Sequence, residues 1–462
     1  MRARISPGAV VGGRAAVPGD KSIGHRWLML AATAEGRSRL SNLPLSLDVA
    51  STARCLAEVA VKARPPLDGW ARNVARSAER HGFTWDVSLR DPRVGTRDAV
   101  VEVEGDGRLG LRSPAGDLDC GNSGTTIRLL SGVLAPLAGE TFVLTGDASL
   151  RARPMERVAE PLSAMGASIE TTNGCAPLRI RAGELRGVEY ALPVPSAQVK
   201  SAVLLAATAA EGRTVVIERV PTRDHTERAL AALDAPIRVS DGRIEVSAFG
   251  HRGFDGTVPG DPSSAAFLLA AAALTGGRLL VDDVGVNASR TAFVEVMRRM
   301  GIDVAVRALV ERVGEPVGEL EVVGTGPIVG TTVEPGELPL LIDEVPVLAA
   351  IAAHARGETR FAGAAELRAK ESDRLATVVS LVRELGGDAG AQGDDLVVAG
   401  GGLRGGRTSS NGDHRIAMAA AVAALAADGP SEVDGIDDSA VSFPGFAGAL
   451  AALGARIEDA GR

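Results

Sequence analysis

One pattern recurs six times along the chain. A short polar turn runs directly into a helix made almost wholly of Ala, Leu and Val. The openings are GDKSIGHRWLMLAATA from residue 19, GNSGTTIRLLSGVLA from 121, PSAQVKSAVLLAATA from 195, GDPSSAAFLLAAAAL from 260, IDEVPVLAAIAA from 342 and GDHRIAMAAAVAAL from 412. A Gly-containing stop and a strand-like run follow each, as in AGETFVLTG, EGRTVVIERVP and GGRLLVDDVG; the last, DGPSEVDGI, is degenerate. Most units then carry a second amphipathic helix ending on Gly, such as VAEPLSAMGASIE, VEVMRRMGIDVAV, VVSLVRELGGDAG and FAGALAALGARIE. Gly just past the last periodic residue is a helix stop. Helix and strand alternating in this way predict an α/β fold. The openings are about 65 to 82 residues apart, except for a first spacing of about 102. The excess falls near 62–98, which reads as an insertion or an enlarged first unit and holds two of the three Trp.

A solenoid of the common kind repeats its caps, and these six openings do not. They carry Lys/Ser/Arg, Asn/Thr/Arg, Ser/Gln/Lys, Asp/Ser, Asp/Glu and Asp/His/Arg. Ordinary capping accounts for the Ser and Asp. It does not account for cations, which are disfavoured at a helix N-terminus unless an anion is held there. The variety therefore predicts helix N-termini converging on one polar cleft. Lysine usage sharpens the point: of 50 basic residues only four are Lys, at 21, 62, 200 and 370. All but Lys62 fall inside the motifs, where a compact ammonium differs from a guanidinium fork.

The expected cleft collects Lys21, Arg26, Arg128, Arg153, Lys200, Lys370, Arg374 and Arg415, with Arg223 a further candidate. Ser22, Asn122, Thr125, Ser196 and Gln198 add polar groups, and Gly124 admits a ligand close to the backbone. So many cations suit more than one anionic group. Among the acids, Asp373 and Asp413 read as structural partners of the cations, whereas Asp343 and Glu371 are the candidates for moving protons. His225 and His414 sit in polar openings and are candidate ligand contacts; His354 and Cys120 read as structural. At 462 residues the chain exceeds one ordinary core, so two domains are expected. A net charge of −8 and 3% aromatics argue against a nucleic-acid partner. No apolar run is long enough to span a bilayer, and the N-terminus shows no secretory signal. Three Cys without metal spacing suggest a reducing cytoplasm. No P-loop, GxSxG or HExxH motif occurs.

PGDKSIGHR, CGNSGTTIRLLSGVLA, LTGDASLRARPM, SAQVKSAVLLA, TRDHTER, GDPSSAAFLLAAA, IDEVPVLA, LRAKESDRL and GDHRIAMA together resemble the 5-enolpyruvylshikimate-3-phosphate synthase family. Their order and spacing agree from about residue 8 to 458, apart from 62–98. The resemblance implies an inside-out α/β barrel of two domains, each of three βαβαββ-like units, with helices inside, strands outside and the site between them. The domains would be 20–257, and 1–19 combined with 258–462. It implies enolpyruvyl transfer from phosphoenolpyruvate to the 5-hydroxyl of shikimate 3-phosphate, with phosphate released and no cofactor or metal, by a cytoplasmic monomer without nucleic-acid or membrane partners. It assigns Lys21, Ser22, Arg26, Ser196, Ala197, Gln198, Thr222, Asp343 and Lys370 to shikimate 3-phosphate. It assigns Lys21, Gly124, Arg153, Gln198, Arg374 and Arg415 to phosphoenolpyruvate. Asp343 would be the base, with Glu371 and Lys21 or Lys370 as proton donors or charge stabilisers.

Three positions depart from the family pattern. Gly24 stands where many members have Ser, Ala197 where some carry a second Ser, and Val441 where many place a Lys near phosphoenolpyruvate. The related UDP-N-acetylglucosamine enolpyruvyl transferases typically carry a Cys five residues before the Arg of their ARP motif. Here that position is Ala148, and KESDR and GDHR favour the shikimate acceptor. A non-catalytic anion-binding relative would be expected to lose Asp343, Glu371 or Lys21, and all three are present.

Overall fold

The computed structural model describes residues 1–44, 46–59, 100–324 and 326–461. The 62–98 stretch read as an insertion lies outside the described residues.

The six Ala-rich runs are helices: Lys21–Thr33, Gly124–Leu134, Ala197–Ala207, Pro262–Leu274, Val345–Ala353 and His414–Leu425. They are apolar on every side, so each must be covered on every side. Every residue of Val345–Ala353 and of His414–Leu425 is buried. Small side chains let these inner helices pack closely. A Cβ added at Gly132 would stand 2.1 Å from the carbonyl oxygen of Ala202 on the neighbouring inner helix. Five of the six have a side-chain cap: Asp20, Ser123, Ser196, Asp261 and Asp413 each accept a backbone N–H of the first turn.

Six small sheets form the outer layer among the described residues, five of four strands and one of three. The unit 118–181 shows the plan. Leu118–Asp119 pairs in parallel with Thr141–Thr145 across an inner helix, and Thr141–Thr145 then pairs antiparallel with Cys175–Arg181, which also pairs with Ser168–Thr172. The helix Glu156–Met165 fills the second crossover and ends at Gly166, at φ +123°. The same β-α-β-α-β-β order recurs in the unit from Glu189 to Ser247.

Two of the short parallel strands are exchanged. Gly13–Ala15, which leads into the first inner helix, pairs with Arg278–Gly285. Asp255–Thr257, which leads into the fourth, pairs with Glu35–Ser41. The first strand, Arg2–Ser6, completes the last sheet by lying between Ser431–Asp434 and Arg456–Asp459. The buried apolar residues form two separate cores. One joins Ala3, Ile5, Val11 and Val17 to residues from Ala265 to Ala455; the other runs from Ile23 to Val258. No described helix is long and apolar enough to cross a membrane.

The contact at Gly132 is a test of this packing. Gly132→Ala gains roughly 1 kcal/mol of helix propensity, but its methyl group meets a backbone carbonyl that cannot rotate away. Overpacking of that kind costs about 1–3 kcal/mol. The variant is expected to unfold at lower urea concentration with an unchanged slope; a midpoint equal to or above the parent's would refute the close approach.

Candidate active site

A cavity of about 330 Å³ opens where five of the six inner helices begin. Lys21, Ser22 and Arg26 come from the first helix, Gly124, Thr125 and Arg128 from the second, and Ala197 and Gln198, after the cap Ser196, from the third. Asp343 precedes the fifth and Arg415 opens the sixth. Thr222 and Arg223, Arg153 and Arg157, and Lys370 and Glu371 complete the polar wall, while Pro335, Leu338, Pro339 and Ile342 form an apolar one. Helix N-termini present free N–H groups and a positive dipole end, so this arrangement favours anions before any side chain is counted.

The side-chain charges reinforce it. The lining holds eight cations (Lys21, Arg26, Arg128, Arg153, Arg157, Arg223, Lys370, Arg415) against four acids (Asp48, Asp343, Glu366, Glu371), an excess of four positive charges. Several of the cations are locked in place. Arg26 donates from Nε to Thr226 Oγ1 at 2.8 Å, from Nη2 to Ser201 Oγ at 2.7 Å and from Nη1 to the Ser22 carbonyl at 2.8 Å. Arg128 donates to Gln198 Oε1 at 2.7 Å, and Gln198 Nε2 donates to Thr125 Oγ1 at 3.0 Å. Arg153 donates to Asn122 Oδ1 at 2.6 Å. Gly124 makes room for both guanidinium groups: a Cβ there would lie 2.9 Å from Arg128 Nη1 and 3.3 Å from Arg153 Nη1. Burial, then the neighbouring Arg157 and Arg153, push the Arg128 guanidinium down to about 9. Crowded like charges raise the free energy of the empty site, and anions relieve it.

Asp343 and Glu371 sit among these cations. Asp343 is 2.8 Å from Arg223 Nη2, 3.2 Å from Arg374 Nη1 and 3.5 Å from Arg415 Nη2. Burial opposes its ionisation, but Arg415, Arg223, Arg374 and Lys370 outweigh that and hold it well below the usual carboxylate range. Glu371 is treated likewise: burial raises it, and Arg374, His414, Lys21 and Arg153 bring it well below. Lys370 is pushed down by burial, with Asp343 opposing.

Of the residues expected at the site, Lys21, Ser22, Arg26, Gly124, Arg153, Ser196, Ala197, Gln198, Thr222, Asp343, Lys370, Glu371 and Arg415 all line the cavity. Arg374 does not. It is fully buried behind the wall, where it holds Asp413 at 2.8 Å, Glu371 at 2.5 Å and Asp343 at 3.2 Å, so its charge goes to the acids rather than to the cavity. Lys200 is also displaced from the expected cleft. It lies in a buried triad with Glu218 at 2.8 Å and Glu227 at 2.7 Å. Asn122 acts through Arg153 and is not a lining residue. Neither His225 nor His414 reaches the cavity: His225 bonds Glu315 at 2.7 Å, and His414 is buried and pushed down to about 3, chiefly by that burial.

Asp48, Arg157 and Glu366 were not anticipated. Asp48 opens the helix Leu47–Val59 and holds Lys21 Nζ at 3.0 Å. An acid in a first turn was the available signal, and nothing in the spacing pairs it with Lys21. Among the described residues no cluster of three or more His, Cys, Asp or Glu is placed to hold a metal ion.

Comparison with known proteins agrees with this geometry. The family model for EPSP synthase (3-phosphoshikimate 1-carboxyvinyltransferase) matches residues 5–66 and 89–450. A 3-phosphoshikimate 1-carboxyvinyltransferase of Halorhodospira halophila is 46% identical, with 98% of this chain and 96% of that protein covered. One of Alkalilimnicola ehrlichii is 45% identical over 96% of this chain and 94% of its own length. The solved EPSP synthase of Acinetobacter baumannii superposes with a TM-score of 0.82 at 37% identity, covering 99% of both chains. With the family model spanning both halves of the cavity wall and the fold shared end to end, the chain belongs to the EPSP synthase (3-phosphoshikimate 1-carboxyvinyltransferase) family.

Proposed function

We propose that this cavity transfers the enolpyruvyl group of phosphoenolpyruvate to the 5-hydroxyl of shikimate 3-phosphate and releases phosphate. The observation that carries the reading is the excess of four positive charges in one cavity of about 330 Å³, with two ionised carboxylates, Asp343 and Glu371, set among them. Each substrate brings a phosphate and a carboxylate, which is the load such a site is built to neutralise.

In this reading Lys21, Ser22, Arg26, Ser196, Ala197, Gln198, Thr222, Asp343 and Lys370 hold shikimate 3-phosphate, and Lys21, Gly124, Arg153, Gln198 and Arg415 hold phosphoenolpyruvate. Arg374 acts from behind by fixing Asp343 and Glu371. Asp343 takes the 5-hydroxyl proton as that oxygen bonds to C2 of phosphoenolpyruvate, and the methylene carbon receives a proton from Lys21 or Lys370, with the ionised Glu371 as charge stabiliser beside them. The tetrahedral adduct then returns a proton from the new methyl group to that lysine as its C–O bond to phosphate breaks and phosphate leaves. Fixed cations stabilise the charge that develops on the phosphate oxygens. Two domains, 20–257 and 1–19 with 258–462, would flank the cleft, a division supported by the two apolar cores. Cytoplasmic action as a monomer fits three free thiols and a cavity complete within one chain.

Phosphate release from phosphoenolpyruvate tests the reading, with shikimate 3-phosphate and UDP-N-acetylglucosamine as parallel acceptors and no added metal. Release with the shikimate ester alone is expected. Release with the sugar nucleotide alone, or with neither, overturns the proposal. Asp343→Asn is expected to fold, to bind shikimate 3-phosphate, and to lose about 10²–10⁴ in turnover; near-normal turnover would remove Asp343 from the base role.

The electrostatics add a pH prediction. Asp343 must be deprotonated to act, so activity is present above its pKa and lost as pH falls through it. In the free enzyme that pKa is well below the ordinary value of about 4. Bound substrate anions offset Arg415 and Lys370, which raises it. The acid limb of kcat, which reports the complex, is therefore expected at higher pH than the acid limb of kcat/KM. Coincident limbs would contradict this account.

A further inference from the structure

The chain crosses between its two cores twice, from Val17 to Ile23 and from Val258 to Ala265. Both crossings are written Pro-Gly-Asp, at 18–20 and 259–261. They run side by side: Gly19 bridges Gly260, Asp20 N donates to the Pro259 carbonyl at 2.8 Å, and Asp261 N donates to the Pro18 carbonyl at 2.8 Å. Each Asp then caps the inner helix that it enters. Two carboxylates are thus brought together in a buried place, where like charges repel.

Arg290 resolves the conflict. It is 2% exposed, donates from Nη1 to Asp20 Oδ2, and donates from Nη2 to Asp261 Oδ1 at 2.9 Å and to Ser263 Oγ at 2.8 Å. One guanidinium fork therefore clamps both crossings. The clamp reaches the cavity from two directions. Asp20 caps the helix that carries Lys21, Ser22 and Arg26. On the other side Ser263 Oγ donates to Glu344, the neighbour of Asp343. Arg223 Nη2 lies 2.8 Å from Asp343 and 4.0 Å from Glu344. Arg290 itself does not line the cavity.

We propose that Arg290 is a positioning residue for the reaction: by clamping Asp20, Asp261 and Ser263 it sets the Lys21 helix against Asp343 across the cleft. The inference rests on the function proposed above. A Lys at 290 keeps the charge but is a point donor that cannot span both crossings as a fork does. Misplacement of this sort falls on the chemical step more than on binding.

The test compares Arg290→Lys and Ser263→Ala with the parent protein by kcat, by KM for each substrate, by thermal unfolding and by small-angle X-ray scattering without substrate. Ser263→Ala cuts the link to Glu344 while leaving every charge in place, so it remains informative if Arg290→Lys folds poorly. The expected result is a kcat lowered about tenfold or more in Arg290→Lys and less in Ser263→Ala, KM values within about threefold, and a larger radius of gyration for Arg290→Lys. A lower melting temperature with kcat within about twofold of the parent in both variants would make the clamp merely structural and overturn the proposal. If the parent releases no phosphate with shikimate 3-phosphate, the function reading fails by itself. Scattering then decides the clamp: a wider cleft in Arg290→Lys supports it, and unchanged scattering removes it.

Discussion

Six helices that are apolar on every side can be buried only if something else forms the surface. That constraint organises this molecule. The sheets are pushed outward, the helices pack on one another through Ala and Gly, and the helix ends remain as places where polar groups can gather. Five inner N-termini meet at one cavity. The positive ends of their dipoles are consequently stacked in one place, and cationic side chains join them there. An arrangement that would destabilise an isolated helix becomes the means of holding anions.

Such a site is costly to assemble. Eight cations around a small cavity repel one another, and burial pushes Arg128 down to about 9 and Arg26 to about 10. The four lining acids reduce the repulsion, Glu366 by lying 3.7 Å from Arg157. Asp48 restrains Lys21, while Asp343 and Glu371 are held ionised among the cations, where the proposed reaction moves its protons. The remaining excess is left for the substrates. Because the guanidinium groups are already fixed by Gln198, Asn122, Ser201 and Thr226, little reorganisation is needed when charge develops during reaction.

The repeats, the inner helices and most of the cavity wall were legible in the sequence because capping and helix periodicity are local. Lys21 and Arg415 announce themselves by standing where a cap alone would not place a cation. What was not legible depends on direction and on long-range partners. Lys200 and Arg26 both lie on inner helices near their N-termini, yet Lys200 turns into Glu218 and Glu227 while Arg26 faces the cavity. Arg374 opens a helix as Arg415 does, but Asp413 and Glu371 draw it behind the wall. His225 sits in a polar opening that proves to be the contact with Glu315, 90 residues away. Asp48 was missed because its partner is 27 residues back. No rule of spacing joins a carboxylate in one first turn to an ammonium in another.

The exchange of edge strands shows how a repeat becomes an enzyme. If Gly13–Ala15 had paired with Glu35–Ser41, the first unit would close on itself in the manner of the unit 118–181. Instead it pairs with Arg278–Gly285, and Asp255–Thr257 takes the vacated edge. Each of these strands thereby stays in one half of the molecule while the inner helix it leads into lies in the other. The connection between halves is two short antiparallel crossings rather than one loose linker, and two crossings side by side resist twisting where a single one would swivel. The reaction proposed above, which draws Lys21 from one half and Asp343 from the other, would require that the halves approach along a defined path. A strand exchange tied by paired Gly residues at 19 and 260 supplies that path through backbone hydrogen bonds alone. The side chains around the crossings then need only to set its end point.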